Sequence, residues 1–260
     1  MAVLIGFAGA MAFAIIRPMR RLRVEQVKVG QIELPEREAH HARDVLRLKV
    51  GAEVEVFDGE GGCGVGRISR CDSKKVVVRV EEVQERSGVQ FEWWVAAAIP
   101  KGTRGDWMVE KLSELGAGGF VPLITERSVV SAEGKNKLAR WERLASEAAK
   151  QSKRRGMMRI GEVSEVGKFV RELKSVGWYL SLAENAREMR EVVEAARNEK
   201  IARLTLLIGP EGGWSEGEMA MFDGAGLTGV RMGGTILRVE TAAVAAGAIV
   251  AAMIASESGD

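Results

Sequence analysis

A chain of 260 residues, 46% hydrophobic and 28% charged, has material for one large or two ordinary globular domains and does not read as disordered. Its formal net charge of +2 is near neutral, so the whole-molecule field says little about partners. Two cysteines, Cys63 and Cys71, exclude a disulfide framework and are too few for zinc, and adjacent His40 and His41 cannot share one helix face, so no metal is expected.

Residues 1–16 are strongly apolar but shorter than the roughly 20 residues of a membrane span. The arginines follow this run, whereas a signal peptide would carry positive charge before it. Residues 1–18 therefore read as an extension, Met19 as a plausible start, and the protein as cytoplasmic.

From Arg20 to about Glu85 the pattern is mostly β. The segments 21–24 and 31–34 alternate at period two, and Pro35 opens a helical stripe of Ala39, Ala42, Val45, Leu46 and Leu48 ending at Gly51. Glu53–Phe57 predicts a strand closed by Asp58-Gly59, the glycine-dense 59–66 a hairpin, and 65–68 and 76–83 further strands. A small β-barrel with one helix packs such pieces. The polar connector 84–90 divides this domain, residues 19–87, from residues 88–260.

Beyond the connector, strand and helix alternate. Strands are expected at 92–99, 120–124, 178–182, 204–208 and 230–232. Helices are expected at 105–115, with Trp107, Val109, Leu112 and Leu115 inside, and at 138–153, with Trp141, Leu144, Ala145 and Ala148 inside. Two more are expected at 166–176 and 187–198. Such alternation predicts a mainly parallel sheet covered on both faces.

Two glycine loops follow strands near the C-terminus. The first is Gly209-Pro210-Glu211-Gly212-Gly213, after which Ser215 and Glu218 form a capping-box signature. The second, Gly233-Gly234, leads through Ile236-Leu237-Arg238-Val239-Glu240-Thr241-Ala242 into an Ala-rich helix. Either loop alone could be an ordinary turn. Together, with an Arg and a Glu embedded in an apolar segment, they suggest a ligand crevice at strand C-termini. Neither has the spacing that cradles phosphates, which favours a phosphate-free adenosine cofactor, S-adenosylmethionine being the commonest. Basic clusters on a balanced body, as in 17–49 and in Lys150, Lys153, Arg154, Arg155 and Arg159, suit RNA or a solvated helix face equally.

These residues also carry a resemblance. The segment 208–213, followed by 233–242, resembles the cofactor-binding signature of the RsmE family, 16S ribosomal RNA uridine-N3 methyltransferases of the SPOUT class. Similar segments run along most of the chain: His41 with 45–47, then Val50-Gly51 to Phe57-Asp58-Gly59, Lys101-Gly102, Glu110-Lys111, 114–116, Arg127-Ser128, Arg140-Trp141, Glu147-Ala148, and Gln151-Ser152 with Arg154. The resemblance implies a PUA-like barrel joined to an α/β domain with a C-terminal trefoil knot, a homodimer, S-adenosylmethionine as cofactor, and 16S ribosomal RNA or the small ribosomal subunit as partner. The implied cofactor residues are Leu182, Ala183, Glu184, Ile208, Gly209, Pro210, Glu211, Gly212, Gly213, Met232, Gly233, Ile236, Leu237, Arg238, Thr241 and Ala242. Met232 and Thr235 depart from the family pattern, which has Leu and Arg there, so Arg238 is the one arginine in its loop. Met158 stands where the family tends to place proline.

Methylating uridine N3 requires loss of its proton and develops charge over O2, N3 and O4. Arg238 is the expected electrostatic stabiliser, and Glu240 either orients it, accepts the proton, or simply sits at a helix N-terminus. Glu211 reads as a loop-shaping residue. Arg20, Arg21, Arg23, His41, Arg43 and Arg47 are the expected RNA contacts. The alternatives are a SPOUT-class enzyme acting on another ribosomal or transfer RNA nucleotide, and a non-catalytic ribosome-assembly factor.

Overall fold

A computed structural model describes residues 19–59, 62–84, 91–128, 135–152, 154 and 156–255. The apolar extension and all of the proposed domain connector but Gln84, which ends the strand 76–84, lie outside the described residues. The N-terminal region is a five-stranded sheet of β1 (Arg20–Arg23), β2 (Gly30–Glu33), β3 (Glu53–Phe57), β4 (Cys63–Cys71) and β5 (Val76–Gln84), ordered β1-β3-β4-β5-β2. The β1–β3 pair is parallel and the others are antiparallel. Alternating apolar residues meet in one core, with Leu22, Val54, Val56, Val76, Val78 and Ile68 all under 2% exposed. Of the hairpin expected at 59–66, residues 60–61 lie outside the described residues; β3 and β4 on either side pair antiparallel, and Asp58 accepts from the amides of Val27 and Gly62.

The helix after Pro35 departs from the expected stripe. A short α1 (Glu36–His40) passes into a π turn (His41–Val45), in which the Leu46 amide reaches the His41 carbonyl five residues back. The extra residue per turn rotates Val45 out of the stripe, leaving it 60% exposed, and the chain leaves the helix at Arg47, whose φ is 52°.

The second region is an all-parallel eight-stranded sheet. Its strands are β6 (Glu92–Ala98), β7 (Gly119–Ile124), β8 (Arg159–Ile160), β9 (Ser164–Glu165), β10 (Val176–Leu180), β11 (Arg187–Glu188), β12 (Arg203–Ile208) and β13 (Thr228–Arg231). The order is β11-β13-β10-β12-β6-β7-β8, with β9 also on β7. Both faces are apolar, as a parallel sheet requires. Trp93, Val95, Leu204 and Leu206 pack under α2 (Arg104–Glu114), α3 (Lys135–Gln151), α5 (Met189–Asn198) and α7 (Val239–Ala255). Ala96, Leu207 and Tyr179 pack under α4 (Val166–Glu172) and α6 (Glu216–Gly224).

Some expected boundaries and faces shift. Trp107 is 46% exposed, because the buried stripe of α2 runs through Met108, Val109 and Leu112. The helix expected to reach residue 176 stops at Glu172, and β10 begins at Val176, two residues before its expected start. Arg187 and Glu188, expected in a helix, pair with β13 instead.

The two regions meet at the C-terminal end of α3. Arg21, on β1, is 7% exposed: its Nη1 donates to the carbonyls of Arg154 (2.9 Å) and Ala149 (3.4 Å), and its Nε lies 3.1 Å from Glu55. Its guanidinium also stacks 4.5 Å from the Phe57 ring centroid. Beside it Lys150 Nζ contacts both oxygens of Glu38 at 2.6 Å. Arg21 thus caps the end of α3, where carbonyls lack intrahelical partners and the helix dipole is negative. Arg21→Ala leaves those carbonyls and Glu55 without their cation, with an expected loss of about 2–4 kcal/mol in urea unfolding. An unchanged midpoint would mean that the contact contributes nothing net.

Candidate functional site

Three loops at the C-terminal ends of β10, β12 and β13 enclose a cavity of about 550 Å³. Its walls come from residues 180–183, 208–214, 230, 232–233 and 235–237, with Met219 of α6 and Val239 and Ala242 of α7. The lining is mainly aliphatic and thioether side chains with backbone and a few hydroxyls between them. Such a pocket suits a ligand with an apolar, stackable part and a polar edge.

Trp214 organises this cavity, and sequence reasoning did not single it out. It is 7% exposed, its Nε1 donates to the Leu180 carbonyl at 3.0 Å, and its ring meets Phe222 edge-on at 4.9 Å between centroids. The β12 loop is thereby tied to the β10 loop. Gly209 lies flat against the same ring: a Cβ there would come within 3.0 Å of Trp214 Cε2, so glycine allows this close approach. Gly213 turns the loop with φ at 72°. Ser215 and Glu218 then form the expected capping box, and Glu218 Oε1 also accepts from the Glu126 amide at 2.9 Å. Arg127 Nη1 donates to the carbonyls of Gly212 (2.9 Å) and Trp214 (3.2 Å), fixing the loop from the β7 side.

Of the expected cofactor residues, Leu182, Ala183, Ile208, Gly209, Pro210, Glu211, Gly212, Gly213, Met232, Gly233, Ile236, Leu237 and Ala242 line the cavity. Glu184, Arg238 and Thr241 are exposed and stand outside its lining. The earlier end of β10 brings in Leu180 and Ser181, which the expected strand boundary had hidden. Thr235, the departure from the family pattern, lines the wall where the pattern has an arginine.

Arg238 is exposed and carries no ion pair among the described residues, so its charge is free to meet an incoming anion. Glu240 differs. Its side chain is 8% exposed, Oε1 lies 3.5 Å from Arg104 Nη1, and Oε2 is buried without a hydrogen-bond partner. Of the three readings open for Glu240, it sits in the first turn of α7, and among the described residues its ion pair is with Arg104 and not with Arg238. A carboxylate with one oxygen enclosed and the other facing Arg104 is also not presented for taking a proton from a base at the open mouth.

The expected RNA contacts also divide. Arg20 and Arg47 are exposed, Arg23 is half-buried, and none of the three has an ion pair among the described residues; Lys49 is exposed close by in sequence. His41 is half-buried. Arg43 is tied to Asp44 at 2.8 Å and to the Asp72 carbonyl at 3.0 Å. The Asp44 bond raises the pKa of Arg43, and the same bond lowers that of Asp44. Arg21 is buried in the inter-region contact and unavailable to phosphate, a correction that burial alone decides.

Residues 88–251 match a family described as an RNA methyltransferase domain, and residues 34–81 match an RNA methyltransferase PUA domain. A ribosomal RNA small subunit methyltransferase E from Mycobacterium bovis is 32% identical over 229 residues, covering 82% of this chain and 83% of that protein. The chain belongs to this methyltransferase family. A Synechocystis relative of the same name is 30% identical over 233 residues, covering 89% of this chain and 76% of that one. A Legionella pneumophila protein solved with its bound cofactor S-adenosylmethionine is 29% identical with a TM-score of 0.78, covering 90% of this chain and 97% of that chain. The mixed α/β architecture with an N-terminal PUA-like domain is therefore that of the family's solved members.

Proposed function

We propose that this protein transfers a methyl group from S-adenosylmethionine to N3 of a uridine in small-subunit ribosomal RNA. The observation that carries the reading is the largely apolar three-loop cavity, in a chain similar over 90% of its length to a cofactor-bound methyltransferase fold. The sulfonium methyl of the cofactor is already activated, so this chain's residues mainly align the acceptor. The loops at 180–183 and 208–214, with Met232 to Leu237, would hold the cofactor. Arg238, exposed and outside that lining, takes in this reading the role of stabilising the negative charge that spreads over O2, N3 and O4 as the uridine proton leaves.

The substrate reading rests on the N-terminal sheet, residues 19–87 in our division, with Arg20, Arg23, His41 and Arg47 toward RNA. A cytoplasmic enzyme fits this substrate, and among the described residues no helix is long and apolar enough to cross a membrane. Exposed Leu182 (57%), Ile236 (80%) and Leu237 (37%) at the cavity support a homodimer in which a second copy covers them. The position of β12, between the earlier-synthesised β6 and β10, supports a C-terminal trefoil knot.

Labelled S-adenosylmethionine supplied with purified small subunits or with naked ribosomal RNA, followed by mass-spectrometric mapping, tests the reaction and locates the nucleotide together. Label on another nucleotide or on transfer RNA overturns the substrate. Calorimetry showing no cofactor binding favours a non-catalytic assembly factor. RNA affinity is expected to fall steeply with salt, and Arg47→Ala to reduce the magnitude of the log–log slope by about one. A salt-independent affinity would remove the arginine face from the argument.

A further inference from the structure

The cofactor cavity receives two walls from the first turn of α7, Val239 and Ala242, and Glu240 sits between them facing the other way. That carboxylate is nine-tenths buried and has one oxygen without a partner. The cation paired with it among the described residues is Arg104, the first residue of α2, 3.5 Å away. Arg104 is itself steadied by its Nε, which donates to the Lys101 carbonyl at 3.2 Å. Arg104 is absent from the cavity lining.

We propose that Arg104 is a positioning residue for methyl transfer: by pairing with buried Glu240 it fixes the first turn of α7 and, through it, the 232–238 loop over the cofactor. This rests on the cofactor reading given above. The electrostatics are asymmetric. An exposed ion pair is worth little, and Arg104 is partly exposed. Glu240 is enclosed, so removing Arg104 leaves a buried charge whose remaining favourable partner is the positive end of α7's own dipole. The carboxylate then reaches toward water by unwinding the turn, in which the Ala242 amide bonds the Arg238 carbonyl at 2.8 Å. A neutral amide in place of Glu240 has no such requirement. The charge of Glu240, rather than its shape, should therefore make Arg104 necessary.

The test compares wild type, Arg104→Ala, Arg104→Lys, Glu240→Gln and the double variant Arg104→Ala with Glu240→Gln, by two readouts. The first is hydrogen exchange of the amides at 239–243 in ligand-free protein, and the second is S-adenosylmethionine affinity by calorimetry. Arg104→Ala is expected to speed exchange in this turn and weaken cofactor binding about tenfold or more, with exchange in β6 and β12 unchanged. Arg104→Lys should recover part of both, and the double variant most of both. Additive losses in the double variant, or normal exchange in Arg104→Ala, would overturn the inference. Should wild type itself bind no cofactor, the cofactor reading fails by calorimetry while exchange still decides the Arg104–Glu240 coupling.

Discussion

Replacing Arg238 with alanine is expected to lower kcat for RNA methylation about 10²- to 10³-fold while S-adenosylmethionine affinity changes little, the pattern of a lost donor to a developing oxyanion. The geometry behind the split is simple. Arg238 stands outside the cavity lining, so the cofactor does not depend on it, and no carboxylate among the described residues occupies its charge. Arg238→Lys keeps the charge but loses the planar fork and should recover part of the rate. Single-turnover methylation at saturating cofactor, with affinity measured separately, checks both halves. Unimpaired turnover in Arg238→Ala would move the electrostatic role elsewhere, and a parallel loss of cofactor affinity would make Arg238 a cofactor contact.

Trp214→Ala should have the largest effect on the cavity itself. The indole is 7% exposed, packs on Phe222 and Gly209, and holds the β12 loop to the β10 loop through its bond to the Leu180 carbonyl. Truncation removes a large buried aromatic and leaves that carbonyl without its donor, at about 3–5 kcal/mol in chemical denaturation. Because two of the three cofactor loops lose their common tie, cofactor binding is expected to fall below detection before the fold is lost. Trp214→Phe keeps much of the packing but not the N–H, so it should retain most stability and lose part of the affinity. Equal affinity for Trp214→Phe and wild type would show that the hydrogen bond does not shape the site.

The parallel sheet and most of its cavity were legible because their causes are local. The apolar run 204–208, the glycines at 209–213 and the Ser215–Glu218 box each specify their own backbone, and the loops they make enclose the site. Residues whose roles depend on distant partners were misread. Arg21 looks like any basic residue on a β-strand until the end of α3 is placed against it, 128 and more residues away. Glu240 was rightly readable as a helix-start carboxylate, but its partner, Arg104 at the start of α2, was not. Val45 fits a helical stripe at 3.6 residues per turn and leaves it through one π turn that nothing in its local sequence announces. Trp107 shows the weakness of a stripe with two aromatic or apolar solutions one residue apart, of which packing selects the one through Met108.

The place of β12 in the sheet has a consequence for biosynthesis. It lies between β6 and β10, both made earlier, and pairs with each along most of its length. Until residues 203–208 leave the ribosome, β6 has only β7 to pair with and β10 has no partner strand, and the contacts of β6 to β12 close a long loop at high entropic cost. Acquisition of the cofactor crevice is thus among the last events of folding and follows from sequence-distant pairing, a topology that folds slowly. A nascent chain in that interval can pair only β6 to β9, while β10 and β11 still wait for β12 and β13, and shielding these unpaired strands from other chains becomes the hazard of its early life.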